Sequence, residues 1–287
     1  YRIIPEQIIV TGEMEIPESY SIMAIPLKLS DKMTGSFSFN GSVSNFLSPY
    51  AGYNGDNYSF TEDIERGTVL KLPENSRINL GSPDNYGLRN SSFTVSCFVK
   101  FTEILEFGDN AVLGNYENEY RRGLHLILRS GHPYFGLWSN DYVSGKKLEP
   151  NVWYHMVWRY MIETGEQAIF LNGKNIGSSD GHPPFFGTSD IHLGSALSRG
   201  ASLRGYMDDL YFWSRPLGTE EINRLTLNEN IYPDTGETYS NLFQKYRYEA
   251  IIIILFAVGV IISLVVIVYR KNVSKKTNTG IISPENN

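Results

Sequence analysis

The stretch NVWYHMVWRYMIETGEQAIFLNGKNIG, Asn151 to Gly177, contains two apolar runs separated by a short polar turn. Successive side chains of a β-strand point to opposite faces of the sheet. In the first run, one face would carry Trp153, His155, Val157 and Arg159, and the other Tyr154, Met156, Trp158 and Tyr160. Both faces are rich in apolar residues, which is typical of a strand inside a two-sheet sandwich.

The polar residues of this stretch fit turns between paired strands. Residues 163–166, ETGE, separate the two runs, and the pair Asn172-Gly173 follows the second run. An Asn-Gly pair is favoured in tight hairpin turns because both residues tolerate positive φ. His155 would then lie among aromatic rings on a central strand, which favours a structural over a catalytic role. A His155→Ala variant is expected to lose about 1–3 kcal/mol of stability.

Composition places the chain among folded proteins. It has 287 residues, of which 41% are hydrophobic and 13% aromatic, and its formal net charge is −6. An acidic chain does not present the basic surface of a nucleic-acid-binding protein, so no nucleic-acid partner is expected. The cysteine, Cys97, lies in an alternating apolar run, which favours a buried side chain over a reactive thiol.

Between residues 35 and 228, short apolar strands alternate with turns at intervals of about 8–12 residues. This spacing predicts an all-β fold, an antiparallel sandwich or barrel. One segment, GTEEINRLTLN, is predicted to be helical, with Thr219 as N-cap and Ile222 and Leu225 on one face. Residues 1–34 are interpreted as the end of an upstream domain or as a strand that packs on the sandwich.

Residues 250–269 form an uncharged apolar segment near the C-terminal end. As a helix, its 20 residues would span roughly 30 Å, the thickness of the hydrocarbon core of a bilayer. The segment therefore predicts a single C-terminal transmembrane helix, with the lipid bilayer as a partner. Gly259 and Ser263 form a small-xxx-small pair, which would allow weak dimerisation through this helix.

The flanks of the apolar segment predict its orientation. Basic residues are concentrated in the tail, residues 270–287, whereas acidic residues dilute those of the juxtamembrane stalk, residues 229–249. The positive-inside rule then places the tail in the cytoplasm and the N-terminal domain outside the cell membrane. Three glycosylation sequons, at Asn40, Asn57 and Asn90, agree with this orientation.

Several motifs of the domain resemble one known family. In chain order they are FSFNGSVSN, FTVSCFVKF, WYHMVWRY with the turn LNGK, GYMDDLYFW and GTEEINRL. Together they resemble the LamG-like jelly-roll domain of the concanavalin A-like lectin/glucanase superfamily, over residues 35–228. The resemblance implies an antiparallel two-sheet jelly-roll sandwich. It implies no single activity, since this fold carries lectins, spacers and enzymes.

The superfamily includes glycoside hydrolases with two carboxylates at i and i+4 of one strand. The nearest candidates here are Glu62, Asp63 and Glu65 in TEDIERG. On a strand, Glu62 and Asp63 would point to opposite faces, so the facing pair that such hydrolases need is absent. The histidines are also scattered without the spacing of metal ligands. We therefore expect a protein without enzyme activity.

Asp208 and Asp209 lie in the middle of GYMDDLYFW, where a buried carboxylate needs an arginine, backbone donors or a metal ion as partner. Alternation would let only one of them face the interior, and the resemblance favours Asp208, on the same face as Tyr206 and Leu210. The resemblance also implies a structural calcium ion, with Asp208, Asp209 and Asn40 as candidate ligands. Oxygen ligands suit Ca²⁺, although Asn40 stands where the family often has Asp.

Aromatic side chains near loop tips are the candidates for ligand binding, because an aromatic ring can stack on a sugar. They are Tyr134, Trp138, Tyr142, Phe185 and Phe186. The two phenylalanines are adjacent in HPPFFG and cannot both face the same way. One of them would be exposed to a partner, or the loop would fold over the edge of the sandwich as a lid on the core.

These features predict a single-pass type I protein of the cell membrane. Its jelly roll would be an adhesion or recognition module that binds an extracellular glycan or protein. Two alternatives stay open. The jelly roll is a spacer in a larger surface assembly, or it is a surface glycoside hydrolase or the accessory domain of one.

Overall fold

The structure is a computed structural model that describes residues 28–48, 53–197 and 201–228. These residues form two antiparallel sheets, a short hairpin, one 3-10 turn (Pro83–Tyr86) and one α-helix. The sheets pack on a common core as a jelly-roll-like sandwich. The predicted all-β class with two antiparallel sheets is therefore confirmed.

The larger sheet has eight strands. They are β1 (Met33–Phe37), β3 (Ser59–Asp63), β4 (Gly67–Leu72), β6 (Phe93–Phe101), β11 (Trp153–Met161), β12 (Glu166–Leu171), β13 (Lys174–Ser179) and β17 (Gly205–Trp213). Their order across the sheet is β13-β12-β11-β6-β17-β4-β3, and β1 also pairs with β17.

The smaller sheet has seven strands. They are β2 (Asn54–Asp56), β5 (Arg77–Gly81), β7 (Asp109–Gly114), β8 (His125–Arg129), β9 (His132–Gly136), β10 (Asp141–Val143) and β14 (Ile191–Leu193). Their order is β10-β9-β8-β7-β14-β5-β2. The short strands β15 (Ser195–Ala196) and β16 (Ala201–Ser202) form a separate hairpin.

The core lies between the two sheets, where the inward side chains of both sheets meet. In β6, Val95 and Cys97 are buried there, and the side chains between them point to the outer face. In β11, Met156 and Trp158 lie in the same core, whereas Val157 packs into a second apolar cluster on the outer face. The faces predicted from the alternation in β11 are confirmed, and the thiol of Cys97 is buried as expected.

The N-terminal segment joins the sandwich before residue 35. Leu29 is buried, and the indole of Trp213 donates a hydrogen bond to its carbonyl oxygen at 2.6 Å. Residues 28–34 therefore pack on the sandwich, whereas residues 1–27 of the predicted N-terminal segment lie outside the described residues.

The helix α1 (Thr219–Thr226) forms where a helix was predicted, but it begins one residue earlier. Its N-cap is Gly218, not Thr219, and the Gly218 N–H donates to the carboxylate of Glu221 at 2.8 Å. Ile222 and Leu225 are buried, as their spacing predicts.

The predicted membrane helix, residues 250–269, lies outside the described residues, as do the stalk (229–249) and the tail (270–287). Within the described ranges, no helix is long and apolar enough to cross a bilayer.

Strand β17 is irregular at its two aspartates. Asp209 has a φ of 49°, and the register with β6 shifts between Asp208 and Tyr211. Because of this bulge, Met207 and Leu210 both point into the core, while Asp208 points to the outer face. The expectation that Asp208 faces inward together with Leu210 is wrong, since alternation does not continue through a bulge.

Candidate functional site

The outer face of the larger sheet is covered in two places. Helix α1 covers part of β11 and β12, with Ile222 and Leu225 packed against Val157. The turn between β3 and β4 folds over β6 and β17, and the guanidinium of Arg66 lies 3.6 Å from the ring centroid of Phe98. These two covers shield central strands of this sheet from a ligand.

Arg66 is the partner of both aspartates in β17. Its Nε donates to Oδ2 of Asp208 at 2.8 Å, and its Nη2 donates to Oδ2 of Asp209 at 2.6 Å. The hydroxyl of Tyr211 donates to the other carboxylate oxygen of Asp209 at 2.9 Å. Burial raises the pKa of Asp208 to about 7, and the charge of Asp209 adds to this effect while Arg66 opposes it. Of the three partners predicted for a buried carboxylate here, an arginine, backbone donors or a metal ion, the structure shows an arginine.

The described residues fit a calcium ion poorly at this place. Ca²⁺ takes about six to eight oxygen ligands, yet both carboxylates already bind a guanidinium whose positive charge repels a cation. In the described ranges, no group of three or more His, Cys, Asp or Glu side chains could hold a metal ion. Asn40, the third predicted ligand, is exposed. Calcium binding stays a prediction.

The carboxylates considered for hydrolysis are either engaged or exposed. Asp63 accepts hydrogen bonds from Lys100 and from the indole of Trp153, whereas Glu62 and Glu65 are exposed. Burial would raise the pKa of Asp63, but hydrogen bonds from Lys100, the backbone of Glu65 and Trp153 outweigh it and lower the pKa. A carboxyl group with a lowered pKa is ionised at neutral pH, whereas a general acid in glycoside hydrolysis needs a raised pKa.

The outer face of the smaller sheet carries the hairpin of β15 and β16. Ala196 and Ala201 of this hairpin pack on Ala111, Ile127 and Tyr134 of the sheet. The hairpin separates an aromatic region on β8 and β9 from a polar region on β2, β5 and β14.

Tyr134 and Trp138, two of the predicted ligand-binding residues, meet around His125. The ring of Tyr134 lies between His125, at 5.5 Å between ring centroids, and the guanidinium of Arg129, at 4.3 Å. Its hydroxyl donates to Asp141 at 3.0 Å, and burial is the largest effect that raises its pKa to about 12. Only 9% of Tyr134 is exposed, so little of its ring is open to a ligand, while Trp138 is half-buried and lies edge-on to His125.

The other three predicted ligand-binding residues lie elsewhere. Tyr142 pairs with Phe135 across β9 and β10 and packs against the core. Phe185 is fully buried in that core, so its ring is not available to stack on a ligand. Phe186 is half-buried, with the guanidinium of Arg121 at 4.7 Å from its ring centroid. The five aromatic residues thus do not form one site.

The three predicted glycosylation sites, Asn40, Asn57 and Asn90, are all exposed. The amide of Asn57 donates a hydrogen bond to the carbonyl oxygen of Glu74 at 2.7 Å. Whether a glycan is attached at any of them stays a prediction.

A polar cavity lies on the β2, β5 and β14 side of the smaller sheet. Asn54, Asn79 and His192 are register neighbours on these three strands and form one row on the outer face. Asp56 and Arg77 form the next row. Together these side chains line a cavity of about 260 Å³.

A second cavity, of about 600 Å³, adjoins the first and shares Asn54 and Asn79 with it. Asn45, Asn85 and Asp190 also line it. We call the two cavities together the polar groove. The larger cavity alone lies within the usual volume of small-molecule sites, about 300–1,000 Å³.

The amides of the polar groove differ in how far they are already engaged. Asn79 donates to Asp190 at 2.9 Å and accepts from the Gly81 N–H at 2.7 Å. Asn54 and Asn85 form no side-chain hydrogen bond with any described residue. Each primary amide offers two N–H donors and one acceptor oxygen, so these two side chains have hydrogen-bonding capacity for a ligand.

Arg77, Asp56 and His192 complete the wall of the first cavity. The Nε and Nη2 of Arg77 donate to one carboxylate oxygen of Asp56 at 2.9 and 2.6 Å, and this hydrogen bonding raises the pKa of Arg77. The imidazole of His192 stacks on the ring of Tyr116, with 4.3 Å between ring centroids. The polar groove therefore combines a flat ring surface with a dense set of hydrogen-bonding groups.

No residue of the polar groove was predicted from the sequence as a site residue. The alternation in RINLG and IHL does place Asn79 and His192 opposite the buried Ile78 and Leu193, which is the one signal that the sequence offers. It does not show that β2, β5 and β14 are neighbours, because that adjacency is a property of the fold.

Comparison with known proteins agrees with this architecture. Residues 72–223 match the model of the Laminin_G_3 family, of the concanavalin A-like lectin/glucanases superfamily. The match spans more than half of the 287 residues. No curated protein has a detectably similar sequence.

Several solved structures share the fold at low identity. Domain 4 of AbnA, a GH43 extracellular arabinanase from Geobacillus stearothermophilus, was solved with arabinotriose; the identity is 19%, the TM-score 0.56, and the match covers 68% of this chain and 98% of that one. A structure of botulinum neurotoxin type C, whose cell entry depends on two ganglioside molecules, is 13% identical with a TM-score of 0.57, and the match covers 70% of this chain and 52% of that one. The binding domain of Paraclostridial Mosquitocidal Protein 1 is 14% identical with a TM-score of 0.55, and the match covers 69% of this chain and 52% of that one. The chain thus spans about half of each toxin structure, and identities this low show the fold alone.

Proposed function

Because the chain belongs to the concanavalin A-like lectin/glucanase superfamily, we propose that its sandwich is a non-catalytic module that binds a glycan in the polar groove. The fold does not decide this, since it carries several kinds of activity. The proposal rests on the site.

The observation that supports it is the convergence of amide side chains with unused hydrogen-bonding groups. Asn54 and Asn79 line both cavities of the polar groove, His192 lines the first, and Asn85 and Asp190 line the second. A sugar hydroxyl both donates and accepts, and an amide offers both partners. The outer face of the larger sheet is less suited to a ligand, because α1 and the Arg66 turn cover its central strands.

A non-catalytic role is supported by the state of the carboxylates. Asp63 is held ionised by its donors, and Asp208 and Asp209 are held by Arg66. Glycoside hydrolysis needs one carboxyl group that gives a proton and a second that acts on the other side of the sugar. The described carboxylates named here do not form such a pair.

The test is a glycan array followed by titration calorimetry on the full-length chain. We expect Asn54→Ala/Asn85→Ala to weaken binding about tenfold, because each lost hydrogen bond contributes about 0.5–1.5 kcal/mol. The melting temperature should not change, since neither amide supports a described residue. Asn223→Ala, an exposed amide on α1, is the matched control and should bind like the wild type. Binding to a protein but to no glycan would contradict the proposal.

We further propose that the module is held at the cell surface by residues 250–269, with the sandwich outside. The support is the uncharged apolar segment and the basic tail that follows it. In intact cells, a tag after Asn287 should be protected from added protease, and a tag before Tyr1 should be cleaved. The reverse pattern of protection would overturn this orientation.

A further inference from the structure

The charges of the polar groove point to the class of glycan, an inference that rests on the proposed function. We propose that the groove selects neutral, hydroxyl-rich sugars over sugars that carry a carboxylate or a sulfate.

The fixed charges that line the groove favour a neutral ligand. Asp56 and Asp190 bring two carboxylates, and Arg77 brings one guanidinium. The Nε and Nη2 of Arg77 are both committed to Asp56. They form one of the two forks with which a guanidinium can bind an anion, so this edge of Arg77 is already occupied. The negative charge of Asp190 would therefore repel a carboxylate or sulfate in the groove. Only Arg77 could offset this repulsion, and its guanidinium is already paired with Asp56.

The hydrogen-bonding groups of the groove also favour hydroxyls over anionic groups, because hydroxyls can donate. Asp190 has one carboxylate oxygen bound to Asn79, and its other oxygen can accept a hydrogen bond from a ligand. A sugar hydroxyl supplies that donor, whereas a sulfate or an ionised carboxylate only accepts. The amides of Asn54 and Asn85 can donate a hydrogen bond to a sugar hydroxyl or accept one from it.

The size of the expected discrimination follows from Coulomb's law. Two like charges about 4 Å apart in water repel enough to change an affinity by about fivefold. This repulsion falls with added salt, because exposed charges are screened within about 8–10 Å at physiological ionic strength. The preference for neutral sugars should therefore be larger at low salt.

The experiment measures dissociation constants of the full-length chain for four probes: arabinotriose, N-acetyllactosamine, and the sialylated and sulfated forms of N-acetyllactosamine. We expect the neutral disaccharide to bind at least fivefold more tightly than its two anionic forms at low salt. Asp190→Asn should shift the ratio of anionic to neutral binding by about fivefold towards the anionic forms. Glu65→Gln makes the same change in formal charge on the turn over the larger sheet and should leave the ratio unchanged.

The possible outcomes separate the two proposals. Tighter binding of a sialylated or sulfated probe, lost in Asn54→Ala/Asn85→Ala, would overturn the selectivity and keep the groove as a glycan site. Two results would overturn the groove as the glycan site, and the selectivity with it. In the first, the chain binds none of the probes and no glycan of the array. In the second, the Asn54 and Asn85 substitutions leave glycan binding unchanged.

Discussion

Replacing Arg66 with methionine is expected to lower the free energy of unfolding by about 3–5 kcal/mol. Methionine keeps the length and the apolar stem of the side chain but removes the guanidinium. Asp208 and Asp209 would then be two neighbouring carboxylates without their cation, and only 7% and 26% of their side chains are exposed. Loss of the guanidinium is costly because the two carboxyl groups must then either stay charged while buried or take up a proton. Urea unfolding of the full-length chain, followed by tryptophan fluorescence, measures the difference.

A second variant separates the charge effect from a packing effect. Asp208→Asn/Asp209→Asn removes the carboxylates, so adding Arg66→Met to it should cost much less than Arg66→Met alone. If Arg66→Met costs the same stability in the wild type and in the Asp208→Asn/Asp209→Asn variant, the loss comes from the contact of Arg66 with Phe98 and not from the ion pairs. Adding calcium or a chelator to the wild type should leave the unfolding curve unchanged, whereas a clear stabilisation by calcium would support the calcium prediction instead.

The Arg66 contacts mark the limit of what the sequence predicts. Asp208 and Asp209 could be predicted as buried carboxylates that need a partner, because a mid-strand charge must be compensated. Alternation predicts them on opposite faces, whereas the bulge with positive φ at Asp209 brings both to one guanidinium. The partner lies more than 140 residues earlier in the chain. Neither a bulge nor such a distant pairing leaves a local pattern in the sequence.

The faces of β11 could be predicted because alternation is a local property. Side chains point alternately to the two faces of a strand, and the two apolar faces of WYHMVWRY predicted a strand inside the sheet. In the structure β11 has a paired strand on each side, β12 and β6. The adjacent Phe185 and Phe186 show the limit of the same rule. It required one inward and one outward ring, but only the packed structure shows that Phe185 is the buried one.

The polar groove could not be predicted from the sequence. Its residues are mainly amides and carboxylates from strands and loops that lie at separate places in the sequence, and they follow no motif. Exposed polar residues are common on every soluble surface, so residue type alone does not mark a site. Their convergence depends on the order β14-β5-β2, which is set by the whole sheet.

His155 is held in one protonation state by its two hydrogen bonds. The hydroxyl of Thr226 donates to the carbonyl oxygen of Ile222 at 3.0 Å, so it accepts from the Nδ1–H of His155 at 2.7 Å. Nε2 then accepts from the hydroxyl of Ser96 at 2.8 Å. Burial lowers the pKa of His155 to about 3, and the charge of Arg66 adds to this effect. The imidazole is therefore neutral, and it links β6 to the last turn of α1.

His155→Ala is expected to lower the free energy of unfolding by about 3 kcal/mol at pH 7. It removes a buried ring that packs against Phe98, and it leaves the hydroxyls of Ser96 and Thr226 without their imidazole partner. A double variant with Ser96→Ala should lose less than the sum of the two single losses, because the two residues share one hydrogen bond. If the His155→Ala variant melts like the wild type, the structural role is wrong.

The pH dependence of stability tests the same histidine by a different route. Below its ordinary pKa of about 6.5 the unfolded chain binds a proton at this residue, whereas the folded chain does not until about pH 3. The wild type should therefore lose stability as the pH falls from 7 to 5, by about 2 kcal/mol from this group. His155→Gln has no proton to bind, so its loss over the same interval should be smaller by that amount. Asp208 and Asp209 contribute to the pH dependence of the unfolding free energy in both proteins, so their contribution cancels in the comparison. Equal losses in the wild type and His155→Gln would show that His155 is not held neutral in the folded chain.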